Sequence, residues 1–330
     1  MTAITLTLIE AGMLARDAFL RANVSEQNAD IVARALVAAE ADGLKGHGLS
    51  RVPSYAAQAK AGKVDGRAKP LATKTAPSAL RIDAANGFAF PALDMAAREL
   101  ALVAKIQGVA AAAIFRSHHC GVAGHPVERM AEAGLVAMLF ANSPPAIAPW
   151  GGQTAVFGTN PIAFAAPLPG RAPVVVDLSV SKAARGNILA AKQKGEKIPA
   201  GWALDKDGNP TTDADAALAG TMIPLGDAKG AALALVVELL AAGLAGANYA
   251  QEASSFLDAK GPPPGTGQLM LAFDPKALGG SPERFAVLAG MIERQAGARL
   301  SGARRLKLRE LARREGVTIP KALADEIANI

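Results

Sequence analysis

The apolar positions of this 330-residue chain alternate between short runs and longer stretches of helical periodicity. Short apolar runs bounded by glycine, proline or asparagine predict strands, whereas apolar residues that recur every three or four positions predict helices. Because the two kinds of segment alternate, the sequence indicates an α/β fold. The predicted strands cover residues 71–75, 79–82, 109–115, 136–141, 162–166, 174–177 and 269–273.

Capping residues delimit several of the predicted helices. Thr7 is expected to cap a first helix that runs to about residue 21, and Ser25 a second helix that ends at Asp42-Gly43. The apolar segment 230–247 is interrupted by Glu238, which favours a buried core helix over a membrane span. Other predicted helices cover 49–60, 92–106, 128–133, a segment capped by Ser181 that ends at residue 194, and much of 282–330.

Composition and charge exclude several classes of protein. The content of 51% hydrophobic and 19% charged residues excludes extensive disorder. Cys120 is the only cysteine and the first residues lack a basic n-region, so a cytoplasmic setting is expected. Much of the net charge of +6 lies in 294–314. That segment lacks the interleaved aromatic residues of a nucleic-acid site, which leaves a solvated helix face or attraction of an anionic cofactor or substrate.

Two segments carry candidate chemistry. His47 and Arg51 are four residues apart at the start of the predicted helix 49–60, and Tyr55 continues the same face, which indicates a carboxylate pocket. The second segment is Ser117-His118-His119-Cys120-Gly121, at the carboxyl end of a predicted strand, where α/β proteins place ligand sites. Either His47 or His119 could exchange a proton with a substrate, and structural histidines that cap a turn are the alternative.

Other chemistries have weaker support in the sequence. The histidines 118, 119 and 125 lack zinc-motif spacing, so no metal site is predicted. A nucleophilic Cys120 is disfavoured because adjacent residues on a strand point apart. Asp177 at a strand end and Lys229 before a helix could contact a ligand, but a buried carboxylate and a solvated lysine are the alternatives. No Gly-x-Gly-x-x-Gly or P-loop motif occurs, which counts against a Rossmann or P-loop fold.

The chain resembles the malate/L-lactate dehydrogenase family that lacks the Rossmann fold, which includes sulfolactate and ureidoglycolate dehydrogenases and cyclic-imine reductases. The matching motifs follow one another in the family's order: Gly46-His47-Gly48 with Arg51, Ser117-His118-His119 with Gly121, Phe157-Gly158-Thr159-Asn160-Pro161, Val176-Asp177-Leu178-Ser179, Ile198-Pro199-Ala200-Gly201-Trp202, Lys229-Gly230 and Arg299-Leu300-Ser301-Gly302-Ala303-Arg304-Arg305.

This resemblance implies a homodimer with a mixed sheet flanked by helices that binds NADPH or NADH, with NADPH favoured. It also implies a helical domain of residues 1–70 and 282–330 that carries His47 and Arg51, and an α/β cofactor domain of residues 71–281. By resemblance His47 is the proton donor, and His119 matches a position that acts as catalytic base in one branch. The implied substrate contacts are Arg51, Thr159, Arg185 and Gly186. The implied cofactor contacts are His119, Cys120, Gly121, Val122, Ala123, Asp177, Leu178, Ser179, Lys229, Arg299, Arg304 and Arg305.

Within the family, the motifs around His118-His119 and Ala148-Pro149-Trp150-Gly151-Gly152 most resemble the cyclic-imine reductases. We therefore predict reduction of Δ1-pyrroline-2-carboxylate or Δ1-piperideine-2-carboxylate, with a dehydrogenase of malate, lactate, ureidoglycolate or another 2-hydroxy acid as the alternative. A non-catalytic protein that senses the cofactor is a further alternative. Some imine reductases carry a serine and an aspartate as a proton relay, and Gly46 and Asn187 stand at those places here.

Overall fold

The structure is a computed structural model that describes residues 2–330. Its strands are β1 (Ala3–Leu6), β2 (Leu71–Ala76), β3 (Ala79–Asp83), β4 (Val109–Ser117), β5 (Val136–Ala141), β6 (Ile162–Leu168), β7 (Arg171–Leu178), β8 (Ala203–Leu204), β9 (Pro210–Thr211), β10 (Thr221–Met222), β11 (Thr266–Phe273) and β12 (Val317–Pro320). Its α-helices are α1 (Leu8–Arg21), α2 (Glu26–Ala41), α3 (Val52–Lys60), α4 (Ala89–Gln107), α5 (Gly124–Glu132), α6 (Arg185–Lys194), α7 (Ala214–Ala219), α8 (Ala228–Val237), α9 (Pro282–Glu293), α10 (Ala303–Glu315) and α11 (Lys321–Ala328).

The centre of the fold is a seven-stranded sheet in the order β2-β3-β4-β11-β5-β6-β7. Only β3 and β4 are parallel, and every other neighbouring pair in this sheet is antiparallel. The predicted α/β class with a mixed sheet is confirmed. Each of the predicted strands is present, although several extend beyond their predicted bounds.

Small residues in the central strands allow helices to pack closely on this sheet. Ala112, Ala137, Ala163 and Ala272 are fully buried, and α4, α5 and α9 lie against the strands that carry them. An alanine leaves room for a larger side chain from the facing layer, which is how close packing is reached without voids. The larger residues of this core are Ile82, Leu93, Leu100, Ile114, Met130, Leu135, Leu139 and Met270.

A second core is formed by the two ends of the chain. Helices α1, α2 and α3 bury Phe19, Leu36 and Tyr55 together with residues of α10 and α11. The strands β1 and β12 pair antiparallel and join the two termini. These two strands were not predicted, because each is only four residues long and its partner lies at the other end of the chain.

The arrangement of the hydrophobic cores neither confirms nor contradicts the predicted division into two domains. Helix α9 packs on β6 rather than in the core of the chain ends, and a third cluster around Ile147, Val180 and Ile188 forms beside the small sheet β10-β8-β9. The division into residues 1–70 with 282–330 and residues 71–281 therefore stays a prediction.

Several predicted helix boundaries differ from the structure. Thr7 and Ser25 cap α1 and α2 as expected. Ser181 caps no helix, because its hydroxyl donates to the carbonyl of Ala183 at 2.7 Å, and α6 starts only at Arg185. The segment 230–247 is α8 followed by a π-helical turn, Glu238–Gly243. Across residues 2–330, no helix combines the length and apolar character needed to cross a membrane.

A buried ion cluster connects the two main cores. Asp42, at the end of α2, accepts hydrogen bonds from Arg309 Nε at 2.7 Å and from Arg305 Nη1 at 2.9 Å. Glu128 of α5 pairs with both of these arginines. His125, in the first turn of α5, contributes Nε2 at 2.8 Å from Asp42. Burial acts to raise the pKa of Asp42, but the hydrogen bonds from Arg309 and His125 outweigh it, so that pKa lies well below its ordinary value.

We predict that Asp42→Asn lowers the free energy of unfolding at pH 7 by about 3–5 kcal/mol, because the buried arginines lose an anionic partner. The matched control is Asp325→Asn in the exposed pair with Lys321, with an expected change below about 1 kcal/mol. Urea unfolding followed by circular dichroism measures both changes.

This prediction also has a pH dependence. Because folding lowers the pKa of Asp42, its contribution is complete above the unfolded value of about 3.9 and is lost as the pH falls below it. The difference between wild type and Asp42→Asn should therefore shrink on acidification. Equal losses for Asp42→Asn and Asp325→Asn at pH 7 would contradict the importance of the cluster.

Candidate active site

Most of the predicted site residues lie at one edge of the central sheet. At this edge β4 ends, β11 begins, β5 ends, β6 begins and β7 ends, as the pairings Ser117 with Thr266, Gln268 with Ala141 and Ile162 with Leu178 show. Four strand spacings separate β4 from β7, a span of about 19 Å. The edge is therefore long enough for an extended ligand, with the histidines at one end and the residues after β7 at the other.

The loop 118–123 crosses this edge from β4 to the start of α5. The N–H of Gly124, the first residue of α5, donates to Asp177 Oδ2 at 2.7 Å, which fixes the far end of the loop beside β7. Gly121 has φ +69°, and a Cβ there would approach Phe90 Cε1 to 2.6 Å. Only glycine satisfies both constraints. Through this contact the structure joins the loop to the end of β7, so that two groups of predicted cofactor residues become neighbouring segments: Cys120, Gly121, Val122 and Ala123 in the loop, and Asp177, Leu178 and Ser179 at the end of β7.

Cys120 is not a nucleophile in this arrangement. Its side chain is buried in the core of the sheet, and burial raises the pKa of its thiol to about 12. The thiol therefore stays protonated at neutral pH, and the thiolate that nucleophilic catalysis needs is not formed.

His118 and His119 have different roles, although they are adjacent. His118 is buried and its Nε2 lies 3.0 Å from Gln58 Oε1, so the structural alternative applies to this residue. His119 lies in the site, with its ring stacked on that of His47 at a centroid distance of 5.2 Å and an interplanar angle of 18°. The two predicted catalytic histidines are therefore neighbours.

Both of these imidazoles are held in the neutral form. Burial lowers the pKa of His47 to about 4, with further contributions from Arg51 and His125. Burial likewise lowers the pKa of His119 well below its ordinary value, followed by the charges of Arg51 and His47. A neutral imidazole has one nitrogen that donates and one that accepts a hydrogen bond.

Arg51 reaches the same pocket from two short 3-10 turns, Lys45–His47 and Leu49–Arg51. The predicted helix 49–60 begins only at Val52, so His47 and Arg51 are brought together by these turns rather than by one α-helical face. Arg51 Nε donates to the carbonyl of Gly46 at 2.7 Å. Within residues 2–330 no carboxylate forms an ion pair with Arg51.

Tyr55 lies deeper than the predicted carboxylate pocket requires. Its side chain is fully buried, and its Oη lies 2.5 Å from His119 Nδ1. Its ring contacts Phe88 and His118 at centroid distances of 5.6 Å and 5.2 Å. The sequence placed Tyr55 on the face of Arg51 but gave no sign of its contact with His119, because the two residues are far apart in the chain.

A buried carboxylate supports the loop that carries Thr159. Glu238 accepts hydrogen bonds from Asn160 Nδ2 at 2.9 Å and from the N–H of Gly158 at 3.3 Å, while the N–H of Thr159 donates to Ser143 Oγ at 3.0 Å. In the sequence, Glu238 is noticeable only because it interrupts an apolar segment. This interruption is a signal for its role, because a carboxylate among apolar residues needs hydrogen-bond donors from other segments of the chain.

Arg185 lies beside the same loop. Its Nη1 donates to the carbonyl of Pro145 at 3.3 Å, two residues after Ser143. Its Nε is sealed from solvent and has no hydrogen-bond partner among the described residues, and no carboxylate within 2–330 pairs with its guanidinium. Burial lowers the pKa of Arg185 below its ordinary value. Gly186 follows it and is exposed.

The basic residues predicted to bind the cofactor fall into two groups. Lys229, Arg299 and Arg304 are exposed. Arg305 differs from the prediction, because its guanidinium is already held by Glu128 and Asp42 in the ion cluster.

The site fits a nicotinamide dinucleotide without a Rossmann motif. At Gly302 a Cβ would lie 3.3 Å from the carbonyl of Val175, which places the start of α10 beside β7 and the residues after it. Arg304, two residues further along the chain, is exposed, and its positive charge suits a phosphate. In the part of the chain that the structure describes, no three potential metal ligands gather at one point.

Comparisons with known proteins show the family of this chain. The family model for malate/L-lactate dehydrogenase matches residues 7–328. A (2R)-3-sulfolactate dehydrogenase (NADP(+)) from Chromohalobacter salexigens is 51% identical, with 98% of this chain and 96% of that protein covered. A Δ1-pyrroline-2-carboxylate/Δ1-piperideine-2-carboxylate reductase from Pseudomonas aeruginosa is 42% identical, with 98% of each covered.

A solved structure shows the same fold. The Δ1-piperideine-2-carboxylate reductase from Pseudomonas syringae superimposes with a TM-score of 0.93 at 37% identity, and the match covers 99% of each chain. The predicted family, its fold and the prediction of an oxidoreductase are thereby confirmed. The chain belongs to the malate/L-lactate dehydrogenase family and is an oxidoreductase.

Proposed function

We propose that this enzyme catalyses NAD(P)-dependent hydride transfer at C2 of a small 2-hydroxy acid or 2-oxo acid that carries a second anionic group. The observation that carries this proposal is the presence of two guanidinium groups, Arg51 and Arg185, that form no ion pair with a carboxylate within residues 2–330.

Burial of a cation without an anion is unfavourable, so a partly buried guanidinium favours an anionic ligand. The planar fork of arginine also matches a carboxylate or a sulfonate in a bidentate arrangement. Arg51 would hold the carboxylate next to C2, beside His47 and His119. Arg185, on the loop side with Thr159, would hold the second anion. The relative from Chromohalobacter salexigens is named for sulfolactate, a substrate that has both a carboxylate and a sulfonate.

The cyclic imino acid predicted from the sequence is the second candidate. It is favoured by the motif Ser117-His118-His119-Cys120-Gly121 and by the reductase from Pseudomonas aeruginosa. Such a substrate has one carboxylate, which leaves Arg185 without a charged partner. Gly46 has no side chain to form the serine member of the relay, and Asn187 replaces the aspartate.

When bound, a reduced nicotinamide would supply the hydride that C2 receives. His47 donates a proton to the heteroatom on C2 during reduction and accepts it during oxidation. Arg51 would orient the carboxylate, and Thr159 would contact the substrate from its loop. The loop 118–123, Asp177, Leu178, Ser179, Lys229, Arg299 and Arg304 would hold the cofactor. The charge of Arg304 favours the 2′-phosphate of NADPH.

The proposal is tested with a substrate panel and two arginine variants. We expect Arg185→Gln to raise the KM about 10- to 100-fold for dianionic acids such as sulfopyruvate and oxaloacetate, because a charged hydrogen bond is lost. Its KM for pyruvate should change little. Arg51→Lys should raise the KM for every substrate, because a point charge replaces the planar fork. Steady-state kinetics with NADPH and NADH measure these changes.

The outcome of the panel separates the candidates. Turnover of the cyclic imines alone would favour the second candidate. Equal changes of the KM for monoanionic and dianionic acids in Arg185→Gln would show that Arg185 does not bind the second anion. Cofactor binding without turnover of any acid would favour the non-catalytic sensor.

We predict that His47→Ala lowers kcat about 10²- to 10⁴-fold, the usual contribution of a positioned acid–base group. Its affinity for NADPH, measured by protein fluorescence, should stay close to that of the wild type. Because the pKa of His47 is about 4, its protonated fraction grows as the pH falls. Reduction should therefore become faster from pH 8 to pH 5, and this acceleration should be absent in His47→Ala. An unchanged kcat would exclude His47 as the proton donor.

We further propose a homodimer that buries α8 and the turn after it. This segment is apolar on its buried face and also on its exposed face. The exposed apolar residues are Leu235, Val236, Leu239 and Leu244. A helix that is apolar on all sides is typical of one covered by another element. A second copy of this chain is the proposed occupant.

We predict that Leu235→Asp combined with Leu239→Glu shifts the protein toward a monomer in size-exclusion chromatography with light scattering. The matched control is Leu102→Asp combined with Ile106→Glu, at exposed positions of α4, which should leave the mass unchanged. A dimer that survives the first pair of changes would exclude α8 as the interface.

A cytoplasmic location is also proposed. Cys120 is the only cysteine, so no internal disulfide can form. Stable folding without a disulfide suits a reducing compartment.

A further inference from the structure

The contact between Tyr55 and His119 defines where the imidazole carries its proton. Tyr55 Oη lies 2.5 Å from His119 Nδ1. The tyrosine side chain is fully buried, and this is its only hydrogen bond within residues 2–330. A buried hydroxyl proton without an acceptor is unfavourable. The phenol must therefore donate to Nδ1, because the reverse arrangement would leave the phenol proton without a partner.

Burial raises the pKa of Tyr55, so the phenol keeps its proton at neutral pH. The imidazole of His119 is neutral at the same pH, because burial and the charge of Arg51 lower its pKa. A neutral imidazole that accepts at Nδ1 carries its single proton on Nε2. Nε2 has no hydrogen-bond partner in the described structure and is not among the atoms sealed from solvent.

The surroundings of His119 hold the ring in place. His47 stacks on it, and the ring of Phe256 lies at a centroid distance of 5.1 Å. Rotation about the side-chain bonds would break the contact with Tyr55 and these packed faces. The Nε2–H group is therefore held in a fixed direction, and it is open to solvent.

We propose that Tyr55 is a positioning residue that holds His119 as the Nε2–H tautomer, and that His119 donates a hydrogen bond to the oxygen on C2 of the substrate instead of acting as the proton-transfer base. The second half of this proposal rests on the function proposed above. Neutral imidazoles that polarise a carbonyl are a known catalytic arrangement. Proton transfer is then left to His47, and hydrogen-bond donation replaces the catalytic-base role that the resemblance implies for His119.

The tautomer is tested without any substrate. The chain has only four histidines, so the ¹⁵N imidazole signals of labelled enzyme can be assigned with His119→Gln. We expect an unprotonated signal for His119 Nδ1 and a protonated signal for Nε2 at pH 7. In Tyr55→Phe the two signals should move toward a mixture of tautomers. A protonated Nδ1 in the wild type would overturn the proposal even if the enzyme turns over the predicted acids.

The catalytic role is tested with two replacements of His119. Gln places an amide N–H near the position of Nε2 but cannot transfer a proton, whereas Ala removes the donor. We expect His119→Gln to keep kcat within about tenfold of the wild type and His119→Ala to lose about 10²- to 10³-fold, as for other donors to a developing oxyanion. Equally inactive Gln and Ala variants with unchanged cofactor affinity would show that His119 transfers a proton, which would overturn the proposed role.

Tyr55→Phe should lower kcat more than it raises the KM. Without the phenol hydroxyl His119 can adopt either tautomer, whereas Arg51 still binds the carboxylate. Circular dichroism and the affinity for NADPH establish that this variant is folded. A folded Tyr55→Phe with wild-type kcat and an unchanged pH profile would contradict the positioning role.

Discussion

The ion cluster of Asp42, Glu128, Arg305 and Arg309 joins the two segments that carry His47 and His119, the histidines proposed to be catalytic. Asp42 ends α2, three residues before the turns that carry His47, and Glu128 belongs to α5, which follows the loop of His119. The two arginines bridge these carboxylates from α10. Buried ion pairs require a strict geometry, and removing one partner strongly destabilises the fold. These pairs therefore define the relative position of the two cores more strictly than apolar contacts alone would.

The interior of the candidate site, in contrast to the ion cluster, contains a positive charge without a paired carboxylate. Around His47 and His119 no carboxylate balances the guanidinium of Arg51 within the described chain, and burial together with that charge keeps both imidazoles neutral. The same conditions that disfavour a cationic imidazole favour an anionic substrate. One arrangement thus explains why both imidazoles are neutral and why a small acid is expected to bind beside them.

The sequence was sufficient for what is local or repeated along the chain. Apolar runs located the strands of the central sheet, and Thr7 and Ser25 marked helix starts correctly. It could not show contacts between distant segments, such as β1 with β12, Glu238 with the loop of Thr159, or Tyr55 with His119. Arg305 illustrates the same limit. A basic residue in a motif predicts an anion, and here the anions are the buried carboxylates of Asp42 and Glu128.

The choice of substrate depends on residues outside the shared catalytic centre. His47 and Arg51 suit an imine as well as an oxo acid, because both need a carboxylate contact and a proton at the heteroatom on C2. Under the proposed function, discrimination comes from the remainder of the substrate, where a second anion would meet Arg185. A site that leaves a partly buried guanidinium without an anion binds a monoanionic ligand at a cost that a dianion avoids. We therefore expect the charge of the substrate, more than the atom that receives the proton, to separate the two candidate reactions.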